Sequence, residues 1–194
     1  MAPRRAGNGG VLRIIGGSWR GRKLRFTAAP GLRPTPDRVR ETLFNWLAAE
    51  LPDAHCLDLF AGSGALGLEA LSRGASHCSF VDSNKRNSSA IQAHLATLGC
   101  DNARCYTRDA LQWLRDGTDK AKPFDIVFLD PPFTQELAQP ACLALEQGAW
   151  LAPGALIYLE TGSREEPFEK PDNWQLRRDK STGDVRYQLF VRDS

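Results

Sequence analysis

From residue 56 onward the chain alternates short apolar runs with stretches of helical periodicity. The runs are 56–60, 78–81, 103–106, 125–129 and 155–159, and helices are predicted near 65–73, 85–98, 109–115 and 136–149. Strand-sized runs separated by helix-sized segments are the pattern of successive βαβ units, since one parallel strand reaches the next only through a crossover. A parallel sheet with helices on both faces is expected. Trp174–Arg178 and Val185–Arg192 predict a closing pair of strands, with Lys180–Asp184 as their turn. An antiparallel hairpin at the end of such a sheet departs from a dinucleotide-binding dehydrogenase.

The N-terminal part follows a different pattern. Val11–Ile15 reads as a strand, Gly16–Gly21 as a turn, and Arg22-Lys23-Leu24-Arg25-Phe26 alternates basic and apolar residues, so a small hairpin is predicted. A Pro/Gly-rich linker covers 30–36. Thr35-Pro36 has the grammar of an N-cap followed by proline at the first helical position. Val39, Leu43, Phe44 and Leu47 then recur at helical spacing, which predicts a helix from Pro36 to Glu50. The division expected is an N-terminal arm and linker over 1–35 and one α/β domain over 36–194.

Charge sharpens that division. Residues 1–40 hold ten basic side chains and one acid, a net +9, against 15 basic and 22 acidic residues and a net −7 in the other 154. Nine of the ten are arginine, whose planar fork suits phosphate, so the arm is expected to meet a polyanion. Arg13, Arg20, Arg22, Lys23 and Arg25 are the candidate nucleic-acid contacts, with Trp19 at the turn available to stack on a base. Five unpatterned cysteines, with no Cys-x-x-Cys pair and no histidine cluster, argue for reduced thiols and against a zinc site. No run of eighteen apolar residues predicts a membrane span, and the first eight residues lack the apolar segment of a signal peptide. A cytoplasmic monomer is expected.

Two segments carry the chemistry. The first is Asp58-Leu59-Phe60-Ala61-Gly62-Ser63-Gly64, with Gly67 completing a G-x-G-x-x-G spacing. Glycines there allow a tight turn at a helix start, with Phe60, Ala61 and Ser63 as the loop around a ligand. The upstream Asp58 would repel a pyrophosphate but suits the ammonium group of an amino acid, as in S-adenosylmethionine. Asp82 ends the second strand where a ribose-binding acid belongs; the alternative is a helix cap. Asp109, after the third strand, can accept an adenine amine or cap the next helix. The second segment, Phe124 to Phe133, is an apolar strand ending in Asp130-Pro131-Pro132-Phe133. Asp130 and a carbonyl of the stiff Pro131-Pro132 turn can accept both N–H bonds of an exocyclic amine, and Phe133 can stack on its base.

The glycine turn followed by Asp130-Pro131-Pro132-Phe133 resembles the Rossmann-like amino-methyltransferases. Two N-terminal stretches narrow the resemblance: Ile14-Ile15-Gly16-Gly17 with Arg20-Gly21-Arg22-Lys23-Leu24, and Arg33-Pro34-Thr35-Pro36-Asp37-Arg38-Val39-Arg40-Glu41-Thr42-Leu43-Phe44-Asn45-Trp46-Leu47. They are similar to the bacterial RsmD family, which methylates N2 of a guanine in small-subunit (16S) ribosomal RNA. The resemblance covers nearly the whole chain. It implies a class I methyltransferase sheet of seven strands, S-adenosylmethionine as donor and a partly assembled small ribosomal subunit as substrate. It also makes Arg33, Thr35 and Arg38 candidates near the donor or the target base. Asp82-Ser83-Asn84 departs from the Glu that many relatives carry there. The rival readings are a DNA adenine-N6 amino-methyltransferase, a nicotinamide oxidoreductase on the same glycine turn, and a non-catalytic RNA-binding assembly factor.

Overall fold

A computed structural model of the chain describes residues 9–27, 35–117, 122–132, 136–163 and 169–193. Arg33 and Phe133, both candidate site residues, lie outside the described residues, as do the first eight residues and 30–34 of the linker. The elements in chain order are β1 (Gly9–Arg13), β2 (Lys23–Thr27), α1 (Asp37–Trp46), β3 (His55–Asp58), α2 (Ala65–Ser72), β4 (His77–Asp82), α3 (Lys85–Leu98), β5 (Ala103–Thr107), α4 (Ala110–Asp116), β6 (Phe124–Leu129), α5 (Ala138–Gln147), β7 (Leu151–Gly162), β8 (Trp174–Thr182) and β9 (Val185–Arg192).

β1 and β2 form their own antiparallel pair. The other seven strands make one sheet in the order β5-β4-β3-β6-β7-β9-β8, parallel through β7 and antiparallel at β9 and β8. The apolar runs are continuous because the sheet is covered twice. Ile126 and Phe128 of β6 enter one apolar cluster, with α1, α2 and α3. Val127 and Leu129 enter the other, with α4 and α5. Chain order reverses on either side of β3, so the carboxyl ends of β3, β4 and β6 surround the crevice where such sheets bind ligands.

Two strands outrun their sequence signals. β7 begins at Leu151 rather than 155, because Pro153-Gly154 forms a bulge, marked by a register shift between the Phe124–Leu151 and Ile126–Leu156 pairs. β8 continues to Thr182, leaving only Gly183-Asp184 as the hairpin turn. Its polar Lys180-Ser181-Thr182 read as a turn, but an exposed edge strand has no core face to pattern it.

The N-terminal hairpin is docked rather than trailing. Leu12, Ile14, Leu24 and Phe26 are buried in the same cluster as α1 and α2. The turn after β1 is held by Glu69 of α2, fully buried, whose carboxylate accepts from the backbone N–H of Ile15 at 2.9 Å and of Gly16 at 2.7 Å. The same carboxylate accepts from Arg40 Nη1 at 3.4 Å and Arg73 Nε at 2.8 Å. Arg40, only 1% exposed, donates in turn to the Arg13 carbonyl and to Asp37. Counted by sequence among the polyanion-binding charges, Arg40 is a structural cation joining β1, α1 and α2.

Candidate active site

The carboxyl edge of the parallel strands gathers the acids. Asp58, Asp82 and Asp130 end or follow β3, β4 and β6; Asp109 follows β5; Glu160 lies near the end of β7. The first four were legible in the sequence. Glu160 was not singled out, although it terminates a buried apolar run, Leu156–Leu159, as Asp58 and Asp130 terminate theirs.

The glycine turn is built as its spacing predicts. Gly62 (φ 53°) and Gly64 (φ 76°) take left-handed conformations that cost other residues energy, and Gly64 caps α2. Gly67 is needed for packing instead. A Cβ there would stand 2.3 Å from Phe80, so this glycine lets α2 pack closely on β4. Ala61 N–H bonds the Val81 carbonyl, and Gly62 N–H donates to Asp82 Oδ2 at 2.7 Å. Asp82 Oδ1 accepts from Asn84 N–H at 2.7 Å and Asn87 Nδ2 at 3.2 Å. Asp82 therefore braces the turn, while Asn84 caps α3. Gly62 and Ser63 line a cleft of about 540 Å³ with Phe26 of the hairpin and Lys85, Arg86 and Asn87 of α3. Half-buried Phe60 lies in the same loop.

Asp58 is 2% exposed and accepts from Gly67 N–H at 3.0 Å. Burial pushes its carboxyl up to about 7; the Gly67 bond opposes this and the charge of Asp82 adds to it. The folded chain keeps this proton where the unfolded chain has lost it, so the group's contribution to stability is full below about pH 4 and is lost as pH rises through about 7. Asp58→Asn keeps an acceptor for Gly67 and never ionises. Its stability relative to the parent should rise between about pH 4 and about pH 7, reaching on the order of 2–4 kcal/mol. Denaturant melts at about pH 5 and about pH 8 check this, and a pH-independent difference would contradict it.

Asp109 is exposed, and its Oδ1 accepts from Gln112 N–H at 2.9 Å as the cap of α4. The capping alternative is realised there, with the second carboxylate oxygen still able to accept from a ligand.

Asp130 is half-buried at the end of β6, followed by buried Pro131 and exposed Pro132. Thr35 Oγ1 lies 3.4 Å from Asp130 Oδ2 and 2.9 Å from Glu160 Oε1. Glu160, 3% exposed, also accepts from the Tyr158 hydroxyl at 2.7 Å. Burial, then the charges of Glu160 and Asp58, hold Asp130 well above the usual carboxylate range, with the Thr35 bond opposing. Burial raises Glu160 as well, against its two hydroxyl partners. Thr35, expected near the donor or the target base, is 5% exposed and lies beside Asp130. It departs from the expected capping role: α1 starts at Asp37 with no side-chain cap, because the Thr35 hydroxyl is turned to the two acids.

The basic face separates from the packed one. Arg13, Arg20, Arg22, Lys23, Arg25 and Arg38 are exposed, while Leu24 and Phe26 point inward. Arg13 stands directly opposite Lys23, and Arg25 opposite the exposed Val11. Like charges facing each other across a strand pair are unfavourable alone and suit a surface that meets negative charge. Trp19 departs from expectation: it is half-buried against the apolar cluster, and its backbone N–H donates to Ser72 Oγ. Among the described residues no cluster of three His, Cys, Asp or Glu could hold a metal, and no helix is long and apolar enough to cross a membrane.

Residues 12–191 match the family described as "Conserved hypothetical protein 95". The "Ribosomal RNA small subunit methyltransferase D" of Escherichia coli strain K12 is 48% identical over 192 residues, covering 99% of this chain and 95% of that protein. A solved "putative methyltransferase" of Escherichia coli superposes with a TM-score of 0.87 at 47% identity, covering 95% of this chain and 99% of its own. The fold is shared more widely: a putative methyltransferase solved with SAH, SMU.776, matches at TM-score 0.71 and 16% identity over 98% of this chain and 58% of its own. By sequence match, by structure and by the order of its motifs, the chain belongs to the family of the ribosomal RNA small subunit methyltransferases D.

Proposed function

We propose that the chain transfers a methyl group from S-adenosylmethionine to the exocyclic N2 amine of a guanine in small-subunit ribosomal RNA. The observation that carries this reading is the placement of Asp130-Pro131-Pro132 at the carboxyl end of β6, beside the β3 strand that leads into the glycine turn. Bound in that crevice, the donor supplies a methyl group activated on a sulfonium. The residues fit it: Asp58 offers a buried carboxylate to an ammonium group, Asp82 at the end of β4 can accept from a ribose, and Asp109 keeps one oxygen for an adenine amine. The small residues Ala61-Gly62-Ser63-Gly64 would let the backbone approach the donor closely.

An aromatic amine is a poor nucleophile because its lone pair is delocalised into the ring. Asp130 and the Pro131 carbonyl, accepting its two N–H bonds, favour the pyramidal form and stabilise the positive charge that develops on nitrogen. Holding amine and methyl in line supplies much of the remaining acceleration. A stacked guanine must first be turned out to reach Asp130, and stacking of that base is the role expected of Phe133. The substrate expected is a partly assembled small subunit, whose phosphates meet Arg13, Arg20, Arg22, Lys23, Arg25 and Arg38.

Purified chain, labelled donor and three substrates test this: small-subunit particles, free small-subunit ribosomal RNA, and DNA. Label on the N2 of guanine in RNA is expected. Label on adenine N6 in DNA would overturn the reading in favour of the DNA enzyme. The surface has its own test. Replacing Arg13, Lys23 and Arg25 together by glutamine should leave the melting temperature unchanged, since all three side chains are exposed. It should weaken RNA binding and flatten its salt dependence by roughly two to three units of slope, as expected for three lost phosphate contacts. An unchanged slope would remove the hairpin from the RNA interface.

A further inference from the structure

The pair Asp130 and Glu160 is more than the amine-binding motif requires. Two acids sit at neighbouring positions on β6 and β7, one residue beyond the Leu129–Leu159 pair. A single hydroxyl, that of buried Thr35, reaches both. The charge of Asp58 on β3 also reaches Asp130, and Tyr158 of β7, itself near Tyr187 of β9, bonds Glu160. Two ionised carboxylates this close and this buried repel each other, so the pair favours holding one proton between them. The hydrogen bonds decide which acid holds it. Glu160 Oε1 accepts from Tyr158 at 2.7 Å and from Thr35 at 2.9 Å, whereas Asp130 has, among the described residues, the longer 3.4 Å approach of Thr35. Hydroxyl donors favour the ionised form, so Glu160 is the carboxylate and Asp130 the acid.

We propose that Asp130, Thr35 and Glu160 form a proton relay in which Glu160 is the final acceptor of the proton lost by the methylated amine. The inference rests on the methyl-transfer reading above. As the carbon–nitrogen bond forms, the carbon–sulfur electron pair leaves with sulfur and positive charge appears on nitrogen. Asp130 passes its proton to Thr35 Oγ1 while Thr35 passes its own to Glu160 Oε1. Asp130, now a carboxylate, takes one proton from the nitrogen, and the N–H electron pair stays with the product amine. The pair goes from one negative charge to none, matching the positive charge lost from the donor, so no uncompensated charge is left buried. One proton released to solvent resets the site. Glu160 and Thr35 act through Asp130 and are positioning residues; neither need touch the base.

Single-turnover methyl transfer to small-subunit particles, followed across pH with the full-length chain, tests this. Glu160→Gln keeps the shape but cannot take the proton. Its rate should fall roughly 100-fold and lose the wild-type pH dependence, with donor affinity and melting temperature held. Thr35→Val should be equally slow, and Thr35→Ser, which restores the hydroxyl, should recover most of the rate. If Glu160→Gln does not fold, the Ser and Val variants at Thr35 decide alone. Rates within about twofold of wild type and an unchanged pH profile, or a Thr35→Ser no faster than Thr35→Val, would overturn the relay alone. A wild-type chain with no transfer to particles would overturn the methyl-transfer reading, and the relay with it.

Discussion

Asp130→Ala is expected to lower methyl transfer by roughly 10²–10³-fold while leaving donor affinity almost unchanged, as follows from loss of a group that acts mainly on the developing charge. Asp130 follows β6, whereas the glycine turn and Asp82, proposed to hold the donor, follow β3 and end β4. Among the described residues its carboxyl is bonded to Thr35, and burial and the acids around it work against its ionisation. Removing it should therefore not destabilise the fold and can raise the melting temperature, the usual trade between stability and a buried polar group in an active site. Single-turnover rates, donor calorimetry and a thermal melt on one preparation check all three parts. Wild-type turnover in Asp130→Ala would sink the mechanism, and a folding defect would move Asp130 from chemistry to structure.

The second large effect concerns stability. Glu69→Ala should cost about 3–5 kcal/mol, because it takes from Arg40 its buried carboxylate partner, leaving it the exposed Asp37, and takes the acceptor from two backbone N–H groups at the hairpin turn. For a chain of this size that lowers the melting temperature by roughly 10 °C. The same network ties the N-terminal hairpin to the α/β domain. Deleting 1–26 would also strip Leu12, Ile14, Leu24 and Phe26 from the core, each worth about 1.5–3 kcal/mol of burial. Such a sum is comparable with the whole net stability of a domain, so the truncated chain should fail to fold and to bind donor. A truncated chain with a cooperative melt and wild-type donor affinity would show the hairpin to be an appendage after all. Charge substitutions on the outer face, rather than truncation, separate RNA contact from folding.

The sheet was legible because buried parallel strands are continuous apolar runs, and their terminal acids stand out against them. That made Asp58, Asp82 and Asp130 visible, along with the glycine turn. What escaped was set by partners distant in sequence. Glu69 interrupts the apolar stretch Ala65–Leu71, a local signal that it needs a cation, and Arg73 stands one turn on, but nothing local says that Arg40 joins it. Thr35 has the sequence context of a helix cap and is claimed instead by Glu160, 125 residues away. Trp19 looked free because it sits in a glycine-rich turn, yet that turn is pressed onto α2. The extent of β8 was hidden because an exposed edge strand carries no core pattern. In each case a tertiary contact overrode a local preference.

Methylation of a small-subunit guanine by this chain is open to direct observation in cells. Methylated nucleosides of small-subunit ribosomal RNA can be mapped by mass spectrometry with and without the chain. One N2-methylguanine is expected to disappear without the chain, to return with the wild type and not to return with Asp130→Ala. An unchanged set of methylated guanines would contradict the proposed activity.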